Sequence, residues 1–207
     1  MNEVTVVDYG AGNLFSVVRA VENVGGQPKI TSDPQDVLSA TALIVPGVGA
    51  AEDTMRNLRS KRLTEPLLEY ISSGRPFLGV CMGMQALFEK SYEGGEHDCL
   101  GVLEGTIERF PTDTVVPHMG WNTIHDVADH AILEGFDDGA YLYFVHSYYA
   151  QPSVDGVVLA RAEYGGVNFP AIVGRDNLIA TQFHPEKSGE TGLLIYKNFV
   201  ENSTSKG

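Results

Sequence analysis

Alternating strand-like and helix-like segments fill the first part of the chain. Short apolar runs at residues 4–7, 28–31, 42–45 and 77–80 are bounded by glycine, proline or polar residues, which is typical of buried strands. Between them, helical spacing of apolar residues predicts helices after Asn13, over 34–39 and through most of 52–73, with a break near Ser60 or Thr64. This alternation up to about residue 90 predicts a mostly parallel sheet with helices on both faces.

The later part of the chain has a different pattern. Its apolar segments are short and bounded by turns, and they lie at 101–109, 121–125, 141–145, 156–162, 171–175 and 178–182. Such segments predict an antiparallel extension of the sheet. A helix over about 190–201 closes the chain. The predicted fold class is therefore α/β, and 207 residues fit a single domain covering 1–207.

The formal net charge of −13 disfavours binding to nucleic acid or to an anionic membrane surface. No apolar run is long enough to span a membrane and no signal pattern is evident, so we expect a cytoplasmic protein. The cysteines, Cys81 and Cys99, need not pair in a chain of this size. His97 near Cys99 is weak evidence for a metal, and we predict none. Gly10-x-Gly12 has no third glycine, which argues against a dinucleotide site.

The stretch around Cys81 is the strongest chemical signal. A strand over 77–80 runs through Gly79-x-Cys81-x-Gly83 directly into a predicted helix, in which Met84, Leu87 and Phe88 recur at helical spacing. The two glycines permit a sharp turn. This arrangement is known for serine nucleophiles. It places the sulfur at a helix N-terminus, which favours thiolate, and leaves the Met82 N–H beside it to bind an oxyanion. The alternative is a buried structural thiol.

A second stretch, Gln182-Phe-His-Pro-Glu186, supplies the base that a thiol nucleophile needs. In extended backbone, residues i and i+2 lie on the same side, so Glu186 can support His184. Of the other histidines, we expect His97, His125 and His130 to be exposed and His146 to be structural, whereas His118 is left open.

Gly79-Val-Cys-Met-Gly-Met-Gln85 with His184-Pro-Glu186 resembles the class I (triad) glutamine amidotransferases, which have a flavodoxin-like fold. Asp8-Tyr-Gly-Ala-Gly-Asn13, Pro46-Gly-Val-Gly49, Pro117-His-Met-Gly-Trp-Asn122 and Tyr143-Phe-Val-His-Ser147 are similar to motifs of the glutaminase subunits of imidazole glycerol phosphate synthase. The resemblance covers nearly the whole chain. It implies hydrolysis of L-glutamine to glutamate and ammonia by a Cys81–His184–Glu186 triad through a thioester, without a cofactor.

Further roles follow only from this resemblance. Gly47 and Val48 would complete the oxyanion hole with Met82. The residues expected to bind glutamine are Gln85, Glu93, Ser147 and Tyr148. The residues expected at a partner interface are Asn13, His118, Trp121, Asn122 and Tyr143, with Asn122 bonding across it. The implied partner is a (β/α)₈-barrel cyclase subunit, which would use the ammonia to make imidazole glycerol phosphate and aminoimidazole carboxamide ribotide in histidine biosynthesis.

Three alternatives remain open from the sequence. The chain could be another triad amidotransferase, although the 117–122 and 143–147 motifs would then be unexplained. It could be a free-standing cysteine hydrolase acting on γ-glutamyl bonds. It could also be a non-catalytic scaffold, which would have no need of Cys81, His184 and Glu186.

Overall fold

A computed structural model describes residues 2–10 and 12–203 of the chain. The helices are α1 (Leu14–Asn23), α2 (Pro34–Ser39), α3 (Ala51–Ser60), α4 (Thr64–Ser72), α5 (Met82–Gln85) and α6 (Gly189–Asn202). The strands are β1 (Glu3–Val7), β2 (Gln27–Thr31), β3 (Leu43–Val45), β4 (Phe77–Val80), β5 (Lys90–Ser91), β6 (His97–Asp98), β7 (Gly105–Arg109), β8 (His118–His125), β9 (Tyr141–His146), β10 (Tyr148–Pro152), β11 (Val158–Tyr164), β12 (Val167–Arg175) and β13 (Leu178–Thr181). Three 3₁₀ turns lie at Ala131–Leu133, Asp155–Val157 and Pro185–Lys187.

In the described part of the chain, nine strands form one sheet in the order β2-β1-β3-β4-β13-β12-β11-β8-β9. Its first five strands are parallel, and the remaining pairings are antiparallel. Strands β10, β7, β5 and β6 form a second, smaller sheet. The α/β class with a parallel half and an antiparallel extension is therefore confirmed.

Alternation along the parallel strands divides the core into two layers. In β1, Val4 and Val6 pack in the same cluster as buried residues of α1 and α6. Val7 lies on the opposite face with the apolar residues of α2, α3 and α4. Because successive side chains of a strand point to opposite faces, a buried parallel strand needs apolar residues on both. This explains the continuous apolar runs of the sequence.

Local signals for the helices hold. Asn13 caps α1, its Oδ1 accepting from the N–H of Ser16 at 3.3 Å. The expected break in 52–73 falls between α3 and α4, where Arg62 has a φ of 57°. Among the residues that the structure describes, no helix is long and apolar enough to cross a membrane.

Three expectations about the elements were wrong. Strand β13, expected in the antiparallel extension, is antiparallel to β12 but parallel to β4, so it joins the two halves of the sheet. The segment 101–109 contributes β7 to the small sheet rather than to the extension. Helix α5 ends at Gln85 instead of continuing through Phe88. The order of strands along the chain does not determine which strands pair in a sheet. These differences therefore arise from tertiary contacts that local sequence patterns do not show.

Candidate active site

Cys81 stands on a sharp turn between β4 and α5. Its φ of 53° and ψ of −105° are unusual for a residue with a side chain. The strand side of the turn is fixed by the Cys81 N–H, which donates to the Thr181 carbonyl at 2.7 Å. On the helix side, the Cys81 carbonyl accepts from the N–H groups of Met84 at 2.9 Å and Gln85 at 3.0 Å. The turn holds the thiol in one position.

Glycine is required within this turn for lack of space. A Cβ on Gly83 would lie 1.9 Å from the Val45 carbonyl oxygen, and one on Gly79 would lie 2.7 Å from the Gly83 oxygen. The turn can therefore fold back on β4 and pack against the end of β3 only because Gly79 and Gly83 lack side chains. The glycine prediction from sequence holds. The single turn of α5 offers far less dipole than the longer helix that was expected.

His184 and Glu186 form a buried ion pair. His184 Nδ1 lies 2.8 Å from Glu186 Oε1, and each side chain is only 2% exposed. Extended backbone was expected to bring these two side chains together. Strand β13 instead ends at Thr181, and the chain enters the Pro185–Lys187 3₁₀ turn, which places Glu186 beside His184. Tyr196 Oη donates to Glu186 Oε2 at 3.4 Å from helix α6. The carboxylate thus fixes the imidazole orientation from Nδ1.

The electrostatics of His184 favour its charged form. Burial lowers its pKa, but Cys81 and Glu186 outweigh this effect and raise the pKa to about 10. His184 Nε2 is buried and makes no well-aligned hydrogen bond with another residue of the described chain. Nε2 is therefore the ring nitrogen that can exchange a proton with a reacting group. The arrangement can hold an imidazolium beside a thiolate.

The segment predicted for the oxyanion hole lies against the nucleophile turn. A Cβ on Gly47 would meet the Tyr9 hydroxyl at 2.4 Å and Met82 Cβ at 2.6 Å, so Gly47 is wedged between β1's loop and α5. Val48 is partly exposed, and Gly49 has a φ of 101°. The Tyr9 hydroxyl is buried without a hydrogen-bond partner in the described chain. Gly47 is therefore closely packed, whereas a Cβ on Gly49 would meet nothing within 4 Å.

A cavity of about 290 Å³ opens at Cys81 and brings most of the predicted residues together. Its walls include Cys81 and His184 of the triad, Val48 and Met82 of the expected oxyanion hole, and all four expected glutamine-binding residues, Gln85, Glu93, Ser147 and Tyr148. The cavity is also lined by Lys187 and His146, which were not expected there. A cavity of this size and polarity suits a small polar metabolite.

Gln85 is held by two hydrogen bonds at the back of the cavity. Its Nε2 donates to the Tyr148 carbonyl at 3.0 Å and to Gln182 Oε1 at 2.9 Å. Gln182 Nε2 in turn approaches Cys81 Sγ at 3.8 Å. Sequence reasoning noted the stretch containing Gln182 but assigned it no role. Its position one residue past β13, as Cys81 is one residue past β4, is the signal that could have placed it beside the thiol.

Glu93 joins the cavity to helix α3. Its Oε2 accepts from the N–H of Ala51, the first residue of α3, at 2.8 Å. Ala50 at the cap position offers no side-chain bond, so Glu93 supplies the missing acceptor. Burial raises the pKa of Glu93, and the Ala51 N–H partly opposes this. One carboxylate oxygen is thus fixed while the other remains available for a ligand's cation.

The residues expected at a partner interface divide into two groups. Asn13 is exposed at the start of α1, and Trp121 is 56% exposed. The ring of Trp121 meets that of the half-buried Tyr143 edge-on at 6.2 Å. Lys187, which lines the cavity, places its Nζ 6.0 Å from the centroid of the Tyr143 ring. These side chains are available to another molecule.

The remaining two, the buried His118 and the half-buried Asn122, make hydrogen bonds within the chain. His118 is buried, stacked on Tyr164 at 4.0 Å, and offers no surface to a partner. Asn122 was expected to bond across the interface. Within the described chain, its Nδ2 donates to the Glu163 carbonyl at 2.8 Å and to His118 Nε2 at 3.3 Å, while its Oδ1 accepts from the Thr123 N–H. Antiparallel pairing places strand β11 beside β8, and sequence could not show this.

The other histidines differ slightly from expectation. His97, His125 and His130 are half-buried rather than exposed. His146 is buried, in keeping with the structural role expected of it. Within residues 2–10 and 12–203, no cluster of three or more histidine, cysteine or carboxylate side chains is arranged to hold a metal ion.

The class of the protein follows from these observations together with sequence comparison. The family glutamine amidotransferase class-I matches residues 5–202, and the chain belongs to this family.

Relatives within the family are more specific. The chain is 48% identical over 198 residues to the imidazole glycerol phosphate synthase subunit HisH of Dehalococcoides mccartyi (strain CBDB1), covering 96% of each chain. It is 48% identical over 205 residues to the subunit of the same name from Herpetosiphon aurantiacus, covering 99% of this chain and 96% of the relative. Among solved structures, PurLQS from Thermotoga maritima superposes with a TM-score of 0.76 at 19% identity, covering 97% and 98% of the two chains, and shows the fold alone.

Proposed function

We propose that this chain is the glutaminase subunit of an imidazole glycerol phosphate synthase, with Cys81, His184 and Glu186 as its catalytic triad. The observation that carries the proposal is the cavity in which a strained cysteine, a carboxylate-paired histidine and the predicted glutamine-binding residues meet. Its sequence identity to HisH subunits supports the particular pathway, which is histidine biosynthesis.

The first half-reaction forms a thioester. Cys81 Sγ attacks the side-chain amide carbon of glutamine, and the carbonyl electrons move onto its oxygen. Backbone N–H groups of Met82 and of the Gly47–Val48 segment stabilise that oxyanion. When the tetrahedral intermediate collapses, the C–N bond breaks and His184 delivers a proton to the departing nitrogen, which leaves as ammonia.

The second half-reaction restores the enzyme. Water attacks the γ-glutamyl thioester while His184 accepts its proton, and the C–S bond breaks to give glutamate and the free Cys81. Glu186 keeps the imidazole oriented and stabilises its charged form in both steps, as the buried 2.8 Å contact with His184 supports.

Substrate selection is assigned to the cavity walls. Glu93 would accept a hydrogen bond from the α-ammonium group of glutamine through Oε1, the carboxylate oxygen that does not cap α3. Backbone groups of Ser147 and Tyr148, at the junction of β9 and β10, would hold the α-carboxylate. Gln85 is placed to orient the substrate from the back of the cavity.

The partner in this proposal is a (β/α)₈-barrel cyclase subunit in a heterodimer. Val48 at the cavity and Met119, Trp121 and Tyr141 on strands β8 and β9 are exposed apolar side chains. Apolar residues in such a group are typical of an interface. Docking there would enclose the ammonia, which would otherwise be protonated in water. We place the reaction in the cytoplasm, as expected from the sequence.

Glutamate release measured with the purified chain tests this function, alone and with a barrel cyclase subunit and its ribulosyl aminoimidazole ligand. Low release alone and a large increase with the liganded partner are expected. Equal release under both conditions would leave a cysteine glutaminase without the pathway. A folded chain that releases no glutamate under either condition would overturn the proposal.

A further inference from the structure

Two buried histidines sit side by side next to the glutamine cavity, and the triad uses neither. His118 of β8 and His146 of β9 are partners in the antiparallel register, so their side chains leave the same face of the sheet. His118 Nδ1 lies 3.0 Å from His146 Nε2. Both are nearly fully buried among the rings of Phe110, Phe144, Tyr164 and Phe169.

The two ends of this pair are anchored to different parts of the molecule. His146 Nδ1 lies 2.8 Å from the Tyr148 carbonyl, inside the cavity wall. That same carbonyl accepts from Gln85 Nε2. At the other end, His118 Nε2 lies 3.3 Å from Asn122 Nδ2, close to the exposed Trp121. A continuous chain of hydrogen bonds therefore runs from strand β8 to the cavity.

The partners at each end fix the direction of every bond. A carbonyl can only accept, so His146 Nδ1 carries the proton toward Tyr148. In a neutral imidazole the other nitrogen is an acceptor, so His146 Nε2 accepts from the N–H at His118 Nδ1. His118 Nε2 then accepts from Asn122, whose amide orientation is fixed by Thr123 and Glu163.

Both imidazoles are neutral in this arrangement. Burial lowers the pKa of His118 to about 4 and that of His146 to about 3. A protonated His146 would direct an N–H at His118, which would force His118 to reverse and point its own N–H at the Asn122 amide donor. The chain therefore has one low-energy direction.

From these contacts we infer that His118 and His146 are positioning residues for the glutamine pocket, and that Asn122 sets their direction. The hydrogen-bond chain fixes the Tyr148 carbonyl and, through it, Gln85, at the one-residue junction between β9 and β10. This inference rests on the proposed function for the identity of the ligand. It extends that function by linking strand β8, which carries Trp121, to the pocket through defined tautomers.

Replacing Asn122 by aspartate tests the direction with little change in shape. A carboxylate can still accept from Thr123 but cannot donate to His118, so Asn122→Asp should reverse or protonate the histidine pair. Nitrogen-15 NMR of the imidazoles reports this directly. The wild-type chain should show both histidines as the Nδ1–H tautomer, and the variant should not. Wild-type histidines in the Nε2–H form would overturn the inference.

Binding and kinetics test the effect on the pocket. We expect His146→Leu, which removes the bond to Tyr148, to raise the KM for glutamine about tenfold, with a smaller change in kcat. His146→Asn retains an N–H near the Nδ1 position and should recover most of the loss. His125→Gln, on the same strand as His118 but outside the chain of bonds, is the matched control and should leave KM unchanged.

The outcomes separate the inference from the function. If wild-type protein neither binds nor hydrolyses glutamine, the proposed function fails. The histidine tautomers and the carbon-13 NMR shift of the Tyr148 carbonyl, compared between wild type and His146→Leu, then still decide the positioning role. If wild-type protein hydrolyses glutamine and folded His146→Leu has the same KM, the inference fails alone. Equal effects of His146→Leu and His146→Asn on KM would likewise contradict it.

Discussion

His184 and Glu186 are joined by a 2.8 Å contact in which both side chains are almost completely removed from water. Removing one member of a buried charged pair leaves the other uncompensated, which costs far more than losing a surface ion pair. Tyr196 from α6 adds a hydrogen bond to the free carboxylate oxygen. Through Tyr196, the orientation of the Glu186 carboxylate therefore depends on how helix α6 packs.

Glu186→Gln should lower both activity and the pKa of His184. Burial lowers that pKa, and only Cys81 would then remain to oppose it. The imidazolium would deprotonate at lower pH. The alkaline limb of the pH profile for glutamate release should therefore shift to lower pH than in the wild type. Activity at neutral pH should fall on the order of 10²- to 10⁴-fold, as for other triad carboxylates.

The stability of the same variant gives a second readout. A raised pKa in the folded state contributes stability that is present below about pH 6.5 and is lost as pH rises through about 10. The difference in unfolding free energy between wild type and Glu186→Gln should therefore shrink with rising pH, as measured by urea denaturation. A difference that is constant from pH 7 to pH 10.5 would contradict the pairing.

Alkylation should distinguish the two cysteines. Burial raises the pKa of Cys99 to about 11, so little of it is thiolate at neutral pH. Cys81 lines the cavity beside His184, and Gln182 Nε2 points toward its sulfur. Iodoacetamide at pH 7.5 should therefore label Cys81 first, as followed by peptide mass spectrometry. Cys81→Ser should remove the rapid phase, and Cys99→Ser, the matched control, should retain it.

Gly47→Ala should damage the site through crowding. Its Cβ would lie 2.4 Å from the Tyr9 hydroxyl and 2.6 Å from Met82 Cβ, so the oxyanion segment must shift. Overpacking of this kind typically costs about 1–3 kcal/mol of stability. Both the free energy of unfolding and kcat should fall, and adding Tyr9→Phe should recover part of the stability. Gly156→Ala is the control, since a Cβ there meets nothing within 4 Å.

Much of this site could be predicted because its signals are local. Glycines flanking Cys81 and the two-residue spacing of His184 and Glu186 lie within short stretches of sequence. The neighbours of β13, the internal bonds of Asn122 and the contact between Gln182 and Cys81 join residues far apart in the chain. Apolar patterns predict that a strand is buried, but they do not determine which strand lies beside it. These features therefore required the structure.

The histidine pair predicts loss of stability in mild acid. The folded-state pKa values of His118 and His146 are lowered to about 4 and about 3, whereas in the unfolded chain both histidines titrate near their ordinary value. Between these limits the unfolded chain binds more protons, so the free energy of unfolding must fall as pH falls from about 6.5 toward 4. Their neighbours are mainly aromatic rings, and His184 opposes rather than relieves the charging of His146.

Urea denaturation between pH 6.5 and pH 5 measures this loss above the range in which most carboxylates titrate. His118→Asn combined with His146→Asn should be less stable at pH 7 but should show a shallower dependence on pH. His125→Gln, which leaves both members of the pair in place, is the matched control and should retain the wild-type slope. An unchanged slope in the double variant would mean that the acid sensitivity arises elsewhere. The folded pair takes up a proton only near pH 4, and a proton on either ring then sets a donor against a donor in the chain of bonds that fixes Tyr148, so the wild-type KM for glutamine should rise only as pH approaches 4.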